Sequence, residues 1–258
     1  MDTSAAREPT AAARVVALPR VAWAVLALGL AALAAGVALM LAARSRPAPG
    51  AAVPAASSAV TAPPVLAGAA DVSRLLDGIP QSGVVLGSPT APVTVLEYAD
   101  LQCPYCRAWA TYAFPRIVED YVRPGKVKLV FRGLAFLGPD SERALRVALA
   151  AGLQGKLWNV VDLLYRNQGH ENSGWVTDRL LSSVAAAAAL DPARVERDRA
   201  GAAVRSAIAE TAREADAHRI TGTPSFVLGR TGARVLRRFS PARLDAASFT
   251  PALDALLR

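Results

Sequence analysis

Cysteine is scarce in this chain of 258 residues, which has only Cys103 and Cys106, both in one Cys-Pro-Tyr-Cys tetrapeptide. A secreted scaffold held by disulfides needs more cysteines at wider spacing, so that class of protein is excluded. The two are either a redox pair or half of a metal site. Histidine is equally scarce, and His170 and His218 do not have the spacing of a zinc finger, so we expect no metal. The sequence also lacks a glycine repeat and a sustained heptad, which excludes collagen-like and coiled-coil folds.

Charged residues are few as well, at 19% of the chain, whereas hydrophobic residues make up 53%. This composition is too apolar for a disordered protein. The formal net charge is +8, from 29 Lys and Arg against 21 Asp and Glu. Because the basic residues are interleaved with acids and accompany no nucleic-acid motif, we expect no nucleic-acid partner. We interpret the positive charge instead as a surface that faces anionic lipid. We also expect no cofactor.

One long apolar run occurs near the N-terminus, where residues 21–41 read VAWAVLALGLAALAAGVALML without a charge. As a helix this run spans roughly 31 Å, enough to cross a bilayer. We therefore expect a cytoplasmic tail at 1–20 and a transmembrane anchor at 21–43. A cleavable signal peptide is the alternative, although its apolar core is usually about 7–15 residues long. Residues 44–70 contain five prolines and no acid, which indicates a Pro/Ala-rich linker.

The remaining residues, 71–258, are expected to form one α/β domain. Two β-rich runs, Val93–Tyr98 and Val127–Arg132, flank a single helix that we expect from Cys103 to about Tyr121. This order implies a parallel strand pair with a right-handed crossover. From about residue 140 to 219 the apolar spacing becomes helical, which predicts an inserted helical block with an N-cap at Asp191.

The end of the chain combines a hairpin with closing helices. We expect the hairpin strands at Ser225–Leu228 and Arg234–Arg238, joined around Gly229 and Gly232. Arg237 and Arg238 are interpreted as a solvated strand face. Closing helices are expected to begin at Ser240-Pro241 and at Thr250-Pro251, because proline is favoured in the first turn of a helix.

The Cys-Pro-Tyr-Cys motif has the spacing of a redox pair. Cys103 and Cys106 are neighbours on a helix and are able to form a disulfide. We expect Cys103 to be exposed at the helix N-terminus, where free N–H groups and the helix dipole lower the pKa of a thiol, and Cys106 to be covered. A structural disulfide across two residues constrains little chain entropy, and zinc needs two further ligands. Redox chemistry is therefore favoured.

A second motif, Thr221-Gly-Thr-Pro-Ser-Phe226, precedes the hairpin and by itself indicates only a turn. Together with the strand, the Cys-Pro-Tyr-Cys helix, the second strand and the helical block, it resembles the DsbA-like branch of the thioredoxin fold. The segment Ala91–Cys106, APVTVLEYADLQCPYC, is especially similar to that branch. The resemblance covers about Gly83 to Arg258 and implies a thioredoxin fold with an inserted helical subdomain.

The resemblance implies roles for particular residues. Pro224 would be cis and lie against the cysteine pair, so that the backbone of Thr223 lies beside Cys103 and pairs with an extended substrate segment. Glu97 matches a buried acid of the family, and a carboxyl group with a raised pKa there would shuttle a proton for Cys106. An edge acid paired with a nearby arginine is the alternative for Glu97.

Other residues near the motif are given supporting roles. We expect Pro104 and Tyr105 to help define the surface on which substrate docks. Asp100 and Gln102 are expected to shape the loop before the helix, and Trp109 to contribute to helix packing. None of the last three is expected to be catalytic.

The sequence thus predicts a thiol-disulfide oxidoreductase, a monomer held at the cytoplasmic membrane, that introduces disulfides into exported proteins. Because disulfides persist in oxidising compartments, we expect the N-terminus to be cytoplasmic and the catalytic domain extracytoplasmic. By resemblance, the reoxidising partner would be a quinone-linked membrane protein of the DsbB or vitamin-K-epoxide-reductase type. Two alternatives stay open: a thiol reductase or isomerase of the same fold, and a binding or chaperone-like module with idle thiols.

Overall fold

The computed structural model describes residues 66–258. The predicted cytoplasmic tail, the predicted anchor at 21–43 and most of the predicted linker lie outside these residues. Helix α1 begins at Ala69, so the last two residues assigned to the linker are helical. Within residues 66–258, no helix is long and apolar enough to cross a membrane.

The described residues form one mixed sheet of six strands in the order β1-β2-β4-β3-β5-β6. The strands are β1 (Gln81–Ser82), β2 (Val85–Leu86), β3 (Val93–Asp100), β4 (Val127–Leu134), β5 (Ser225–Arg230) and β6 (Arg237–Phe239). Strands β3 and β4 are parallel along their whole length, from Val93 opposite Val127 to Asp100 opposite Leu134. The predicted parallel pair is confirmed, and the other pairings are antiparallel.

Helices cover both faces of the sheet. They are α1 (Ala69–Leu76), α2 (Pro104–Tyr112), α3 (Phe114–Ile117), α4 (Pro139–Gly152), α5 (Leu157–Arg166), α6 (Asp178–Ala187), α7 (Pro192–Arg199), α8 (Ala202–Ala217) and α9 (Thr250–Leu257). Helices α4 to α8 lie between β4 and β5, which confirms the helical insertion into a thioredoxin fold. The predicted N-cap is present, because the Asp191 carboxylate accepts hydrogen bonds from the backbone N–H groups of Ala193 and Arg194.

The prediction of a single helix from Cys103 to about Tyr121 is wrong. Helix α2 ends at Tyr112, α3 begins at Phe114, and a π-helical turn follows from Val118 to Val122. Pro115 explains the break, because proline has no N–H to donate to the preceding turn and its ring clashes with the carbonyl group four residues earlier.

The C-terminal hairpin forms, but its second strand is shorter than expected. Strand β6 begins at Arg237 instead of Arg234, and Gly232 adopts a φ of +80° in the connecting turn. The helix expected at Ser240-Pro241 is wrong. Regular structure resumes only after Asp245, whose carboxylate accepts a hydrogen bond from Ser248 N at the start of a short 3-10 turn. The helix expected at Thr250-Pro251 is present as α9.

Strand β3 lies in the middle of the sheet, and all eight of its residues are buried. On one face Val93 and Val95 belong to the main hydrophobic core, which also contains Trp109 and Trp158. On the other face a smaller core forms around Leu96, Tyr98, Val130 and Val227. The strand therefore holds the loop that follows Asp100 in a rigid position, and the cysteine motif begins in that loop.

Candidate active site

The two cysteines lie at the N-terminus of α2. Cys103 is the N-cap residue and Pro104 occupies the first turn. Both thiols are free, and the exposed fractions are 5% for Cys103 and 0% for Cys106. The expectation of an exposed Cys103 is therefore wrong, although it is the less buried of the two. A loop from a distant part of the chain covers it, since its Sγ lies 3.3 Å from the carbonyl oxygen of Thr223.

The pKa values of the two thiols are shifted in opposite directions. A hydrogen bond from the Cys106 thiol, aided by the Thr223 side chain and by the backbone N–H groups of Tyr105 and Cys106, lowers the pKa of Cys103 to about 6. Burial, together with the same hydrogen bond, raises the pKa of Cys106 well above its ordinary value. At neutral pH Cys103 therefore carries a thiolate, whereas Cys106 keeps its proton.

The Thr223-Pro224 peptide bond is cis, as the resemblance implied. Beside it lies a cleft of about 260 Å³, to which this loop and the cysteine motif both contribute. The cleft is lined by Tyr105, Thr223, Pro224, Ser225, Phe226, Arg238, Phe239, Ser240, Pro241 and Leu244. Tyr105 is 67% exposed, a large fraction for an aromatic side chain. The cleft thus offers an open surface beside Thr223, whose carbonyl oxygen contacts Sγ of Cys103.

Glu97 lies on β3, six residues before Cys103, and its exposed fraction is 2%. Burial raises its pKa to about 8, against a hydrogen bond with the Trp109 side chain that lowers it. A charge on Glu97 also raises the pKa of Cys106. The alternative of an edge acid paired with an arginine does not fit, because β3 is a central strand and the polar neighbour of Glu97 is Trp109.

Asp100 organises the loop between β3 and α2. One carboxylate oxygen accepts hydrogen bonds from Gln102 N (2.8 Å) and Ser141 Oγ (2.6 Å). The other accepts from the backbone N–H groups of Phe136 (2.7 Å) and Leu137 (3.1 Å). Asp100 is fully buried, so these four bonds replace its hydration. The carboxylate thereby joins the cysteine loop to the loop after β4 and to α4, as the expected loop-shaping role requires.

Two glutamines connect the cysteine loop to the helical insertion. The side chain of Gln102 accepts a hydrogen bond from Asn172 N at 2.7 Å, in the segment between α5 and α6. Gln168 donates to the carbonyl oxygens of Leu101 (2.9 Å) and Cys103 (3.2 Å). Sequence reasoning missed Gln168, because a glutamine after a helix gives no signal that it contacts a loop 65 residues away.

Trp109 packs inside the domain, as expected. Its ring centroid lies 4.8 Å from that of Phe226 and 4.5 Å from that of Phe249, and its exposed fraction is 1%. It therefore joins α2 to β5 and to the end of the chain, and it also contacts Glu97 through its polar edge.

A second buried acid, Asp162 of α5, was missed by sequence reasoning. It lines a small cavity of about 10 Å³ together with Glu97, Trp109 and Tyr165. Burial raises its pKa to about 6, although an ion pair with Arg166 at 3.2 Å opposes this rise. One carboxylate oxygen, Oδ2, has no hydrogen-bond partner within the described part of the chain.

Comparisons with known proteins agree with this geometry. The thioredoxin family model matches residues 80–243. A probable disulfide bond formation protein D of Bacillus cereus is 39% identical over 101 residues, which cover 38% of this chain and 47% of that protein. The chain thus spans about half the length of the curated relatives it matches.

Solved structures show the same fold. Oxidised BdbD from Bacillus subtilis superposes with a TM-score of 0.58 at 23% identity, covering 69% of this chain and 98% of that one. Alpha-DsbA1 from Wolbachia pipientis superposes with a TM-score of 0.57 at 20% identity, covering 70% and 92%. The fold expected from the resemblance is therefore confirmed.

Proposed function

The chain belongs to the thioredoxin family, and on that basis we propose that it is a thiol-disulfide oxidoreductase that introduces disulfides into exported proteins through Cys103 and Cys106. One observation carries the proposal. The thiols of a single motif have pKa values shifted in opposite directions, and the more acidic one lies beside an open cleft. A merely structural pair of cysteines has no need of either property.

The first step starts from the disulfide between Cys103 and Cys106. A substrate thiolate attacks Sγ of Cys103, the bond between the two sulfurs breaks, and Cys106 leaves as a thiolate. Because Cys106 is buried and its pKa is raised, this leaving group needs a proton at once. Glu97, with a pKa of about 8, holds a proton at neutral pH and supplies it.

The second step releases the product. A second substrate thiolate attacks the substrate sulfur of the mixed disulfide, and Cys103 leaves as the thiolate that the N-terminus of α2 stabilises. The substrate loses two thiol protons and two electrons and gains a disulfide, while the enzyme becomes a dithiol. Thr223 and Pro224, with Pro104 and Tyr105, form the surface on which the substrate segment lies during both steps.

Oxidation of substrates, rather than reduction, is favoured by the pKa of Cys103. A thiolate stabilised to a pKa of about 6 stabilises the reduced form of the enzyme. The disulfide is correspondingly easier to reduce, so it acts as an oxidant of other thiols.

The cellular setting follows from the N-terminal sequence. We propose that residues 21–43 anchor a monomeric protein in the cytoplasmic membrane and that its catalytic domain is extracytoplasmic. Each turnover leaves a dithiol, so a membrane partner must remove two electrons. A quinone-linked protein of the DsbB or vitamin-K-epoxide-reductase type supplies that chemistry.

Equilibration with glutathione tests the direction of exchange. The full-length protein is incubated at defined ratios of reduced to oxidised glutathione, and the dithiol fraction is read as the mass added by a thiol-alkylating reagent. We expect a reduction potential nearer to the value of about −120 mV for DsbA than to about −270 mV for thioredoxin. A value near that of thioredoxin would support the reductase, and no exchange at all would support the idle module.

Membrane extraction tests the anchor. We expect carbonate-washed membranes to retain the full-length chain, and externally added protease to remove the catalytic domain once the cell wall is opened. A mature protein that is soluble and begins within residues 44–70 would show cleavage of the apolar run and contradict the anchor.

A further inference from the structure

Residues 217–244, which include the C-terminal hairpin and which we call the basic hairpin, contain an excess of positive charge. Residues 217–244 contain six arginines and no Asp or Glu, and all six side chains belong to exposed residues. They are Arg219, Arg230, Arg234, Arg237, Arg238 and Arg243. Only Arg243 forms an ion pair within the described residues, with Asp245. Of the fifteen other arginines in residues 66–258, nine pair with a carboxylate, so unpaired arginines are concentrated in residues 217–244.

This charge is continuous with the active-site cleft. Arg238 lines the cleft together with Tyr105 and Thr223. Its guanidinium group also donates a hydrogen bond of 2.8 Å to the carbonyl oxygen of Arg219, in the segment that leads to the cis proline. Arg237 is the neighbouring residue on β6, which is an edge strand of the sheet. A chain leaving the cleft on this side therefore meets guanidinium groups.

We propose that this basic hairpin binds an acidic, extended segment next to the reacting cysteine of the substrate polypeptide. The inference rests on the proposed function, because it assumes that the cleft holds a substrate. Charges on an edge strand also hinder association between sheet edges, but charges of either sign serve that purpose. In the 28 residues of the basic hairpin, by contrast, the charged residues are all arginines and none is an acid. Such a surface is suited to carboxylates, because guanidinium groups bind them in a bidentate manner.

The chemistry of the substrate strengthens this inference. Carboxylates beside a cysteine raise the pKa of its thiol, so the thiolate that attacks Cys103 becomes less abundant. Arginines that pair with those carboxylates remove this handicap and also speed the encounter. We therefore expect the preference for acidic substrates to reverse when the arginines are removed.

The test compares two peptides that each contain two cysteines and differ only in whether Glu or Gln flanks them. The full-length oxidised protein in detergent is mixed with each peptide, and the second-order rate constant for peptide oxidation is measured. We expect the Glu peptide to react about three- to ten-fold faster at low ionic strength, and the difference to shrink in 0.5 M salt, a condition chosen because it screens surface charges.

Two double variants locate the effect. We expect Arg237→Gln with Arg238→Gln to slow the Glu peptide more than the Gln peptide, and separately Arg234→Gln with Arg237→Gln to slow the Glu peptide and leave the Gln peptide unchanged. The second pair leaves the contact between Arg238 and Arg219 intact. Arg179→Gln is the matched control, because Arg179 is exposed on α6 in the helical insertion and forms no ion pair within residues 66–258.

The outcomes separate this inference from the proposed function. No oxidation of either peptide would contradict the proposed function itself. Oxidation of the two peptides at equal rates, or an equal fall in the rate constants of the two peptides in the variant Arg234→Gln with Arg237→Gln, would overturn the acidic-segment inference alone. If the variants left the peptide rates unchanged but weakened binding to phosphatidylglycerol vesicles relative to phosphatidylcholine vesicles, the hairpin would be a lipid contact and the inference would be wrong.

A second, independent observation concerns the cavity between Glu97 and Asp162. Its volume of about 10 Å³ is at the lower limit for holding one water molecule, and its polar lining comprises Glu97, Asp162, Trp109 and Tyr165. Oδ2 of Asp162 is buried without a partner in the described residues, whereas Oδ1 pairs with Arg166, whose side chain is 27% exposed. The geometry points to Asp162 as the residue that passes protons between Glu97 and solvent through a water in this cavity.

Asp162 acts through Glu97 and is therefore a positioning residue. The titratable and charged groups around it are Arg166 on its own helix, Asp71 on α1, Glu97 on β3 and Tyr165 beside the cavity. This inference also rests on the proposed function, since it concerns the proton that Cys106 and Glu97 exchange. Three buried carboxylate oxygens lack a hydrogen-bond partner in the described residues, and of these only Oδ2 of Asp162 belongs to a residue that shares a cavity with Glu97.

The test measures how the rate at which a substrate thiolate attacks Cys103 and displaces Cys106 depends on pH. We expect Asp162→Asn to slow this step several-fold, to change the shape of the pH profile, and to be rescued by Asp162→Glu. Glu142→Gln is the matched control, because it breaks an ion pair of the same spacing, with Arg146, on the surface of α4. A uniform loss at every pH, or a loss equal to that of the control, would overturn the role of Asp162. If a substrate thiolate did not displace Cys106 in the unaltered protein, the proposed function itself would be contradicted.

Discussion

Sγ of Cys103 lies 3.3 Å from the carbonyl oxygen of Thr223, although 120 residues separate them in the sequence. This contact places the backbone of the Thr223 loop beside the one sulfur that retains some exposure. A substrate segment that pairs with this backbone therefore brings its own sulfur to Cys103 and away from Cys106. We therefore expect the two cysteines to have different roles.

The first prediction concerns trapped intermediates. We expect Cys106→Ala to leave Cys103 joined to substrates as long-lived mixed disulfides, because the resolving thiol is absent. Cys103→Ala should give almost none, since Cys106 is fully buried. Non-reducing gels of the full-length variants provide the measurement. Equal trapping by the two variants, with the domain folded in both, would show that Cys103 is not the substrate-facing sulfur.

The second prediction is that the stability of the reduced form relative to the oxidised form rises with pH. The pKa of Cys103 is about 6 in the folded protein and 9.0 ordinarily, so between these values the folded state binds fewer protons than the unfolded state. This stabilisation is complete above pH 9 and is lost as pH falls through 6. The disulfide form has neither thiol. Cys106, whose pKa is raised above 9.0, stays largely protonated in the folded and unfolded reduced chain below pH 9, so in that range the difference between the two forms reports on Cys103.

Thermal unfolding of both redox forms from pH 5 to 9 provides the measurement. The informative quantity is the change with pH of the difference in Tm between the reduced and oxidised forms. The disulfide also constrains the unfolded chain, but this contribution to Tm does not depend on pH. A difference in Tm that is flat across this range would contradict a stabilised Cys103 thiolate.

Much of the fold was predictable because local patterns determine it. The β-rich runs at Val93 and Val127 correctly predicted the parallel pair, since a buried central strand is apolar on both faces. The break at Pro115 was missed because the apolar spacing continues through it. Burial of Cys103 and the contacts of Gln168 and Asp162 were not predictable, since each depends on how distant segments pack.

The third prediction concerns Asp100, whose carboxylate joins three segments. Asp100→Ala would leave four donors unpaired: those of Gln102 and Ser141 are buried, and those of Phe136 and Leu137 are partly buried. Since an unpaired buried donor costs about 1–3 kcal/mol, the two buried donors lead us to expect a loss of unfolding free energy of about 2 kcal/mol or more. Denaturant titration measures this loss. Glu142→Gln, on the surface of α4, is the control and should change the midpoint little. A loss no larger than that of the control would show that the four bonds are replaceable by water.

The fourth prediction is that Glu97→Gln stabilises the domain while slowing exchange. The pKa of Glu97 is about 8 in the folded protein and 4.5 ordinarily, so between these values the folded state binds a proton that the unfolded state has released. Stability due to this group is therefore complete below pH 4.5 and falls as pH rises through 8. Glutamine is neutral throughout and keeps an oxygen that accepts the hydrogen bond from Trp109.

The expected signature is an unfolding midpoint close to that of the unaltered protein near pH 4.5 but higher near pH 9, combined with slower protonation of Cys106. Urea titrations at the two pH values and stopped-flow measurement of mixed-disulfide formation provide the data. A variant that is destabilised at both pH values would mean that Glu97 is ionised in the folded protein at neutral pH. Faster or unchanged exchange would mean that the proton for Cys106 comes from another group. Burial of the Glu97 carboxyl group costs folding free energy at high pH, and we propose that it is retained because Cys106 needs its proton. Only a higher unfolding free energy of Glu97→Gln near pH 9, together with a slower exchange rate, fits this role.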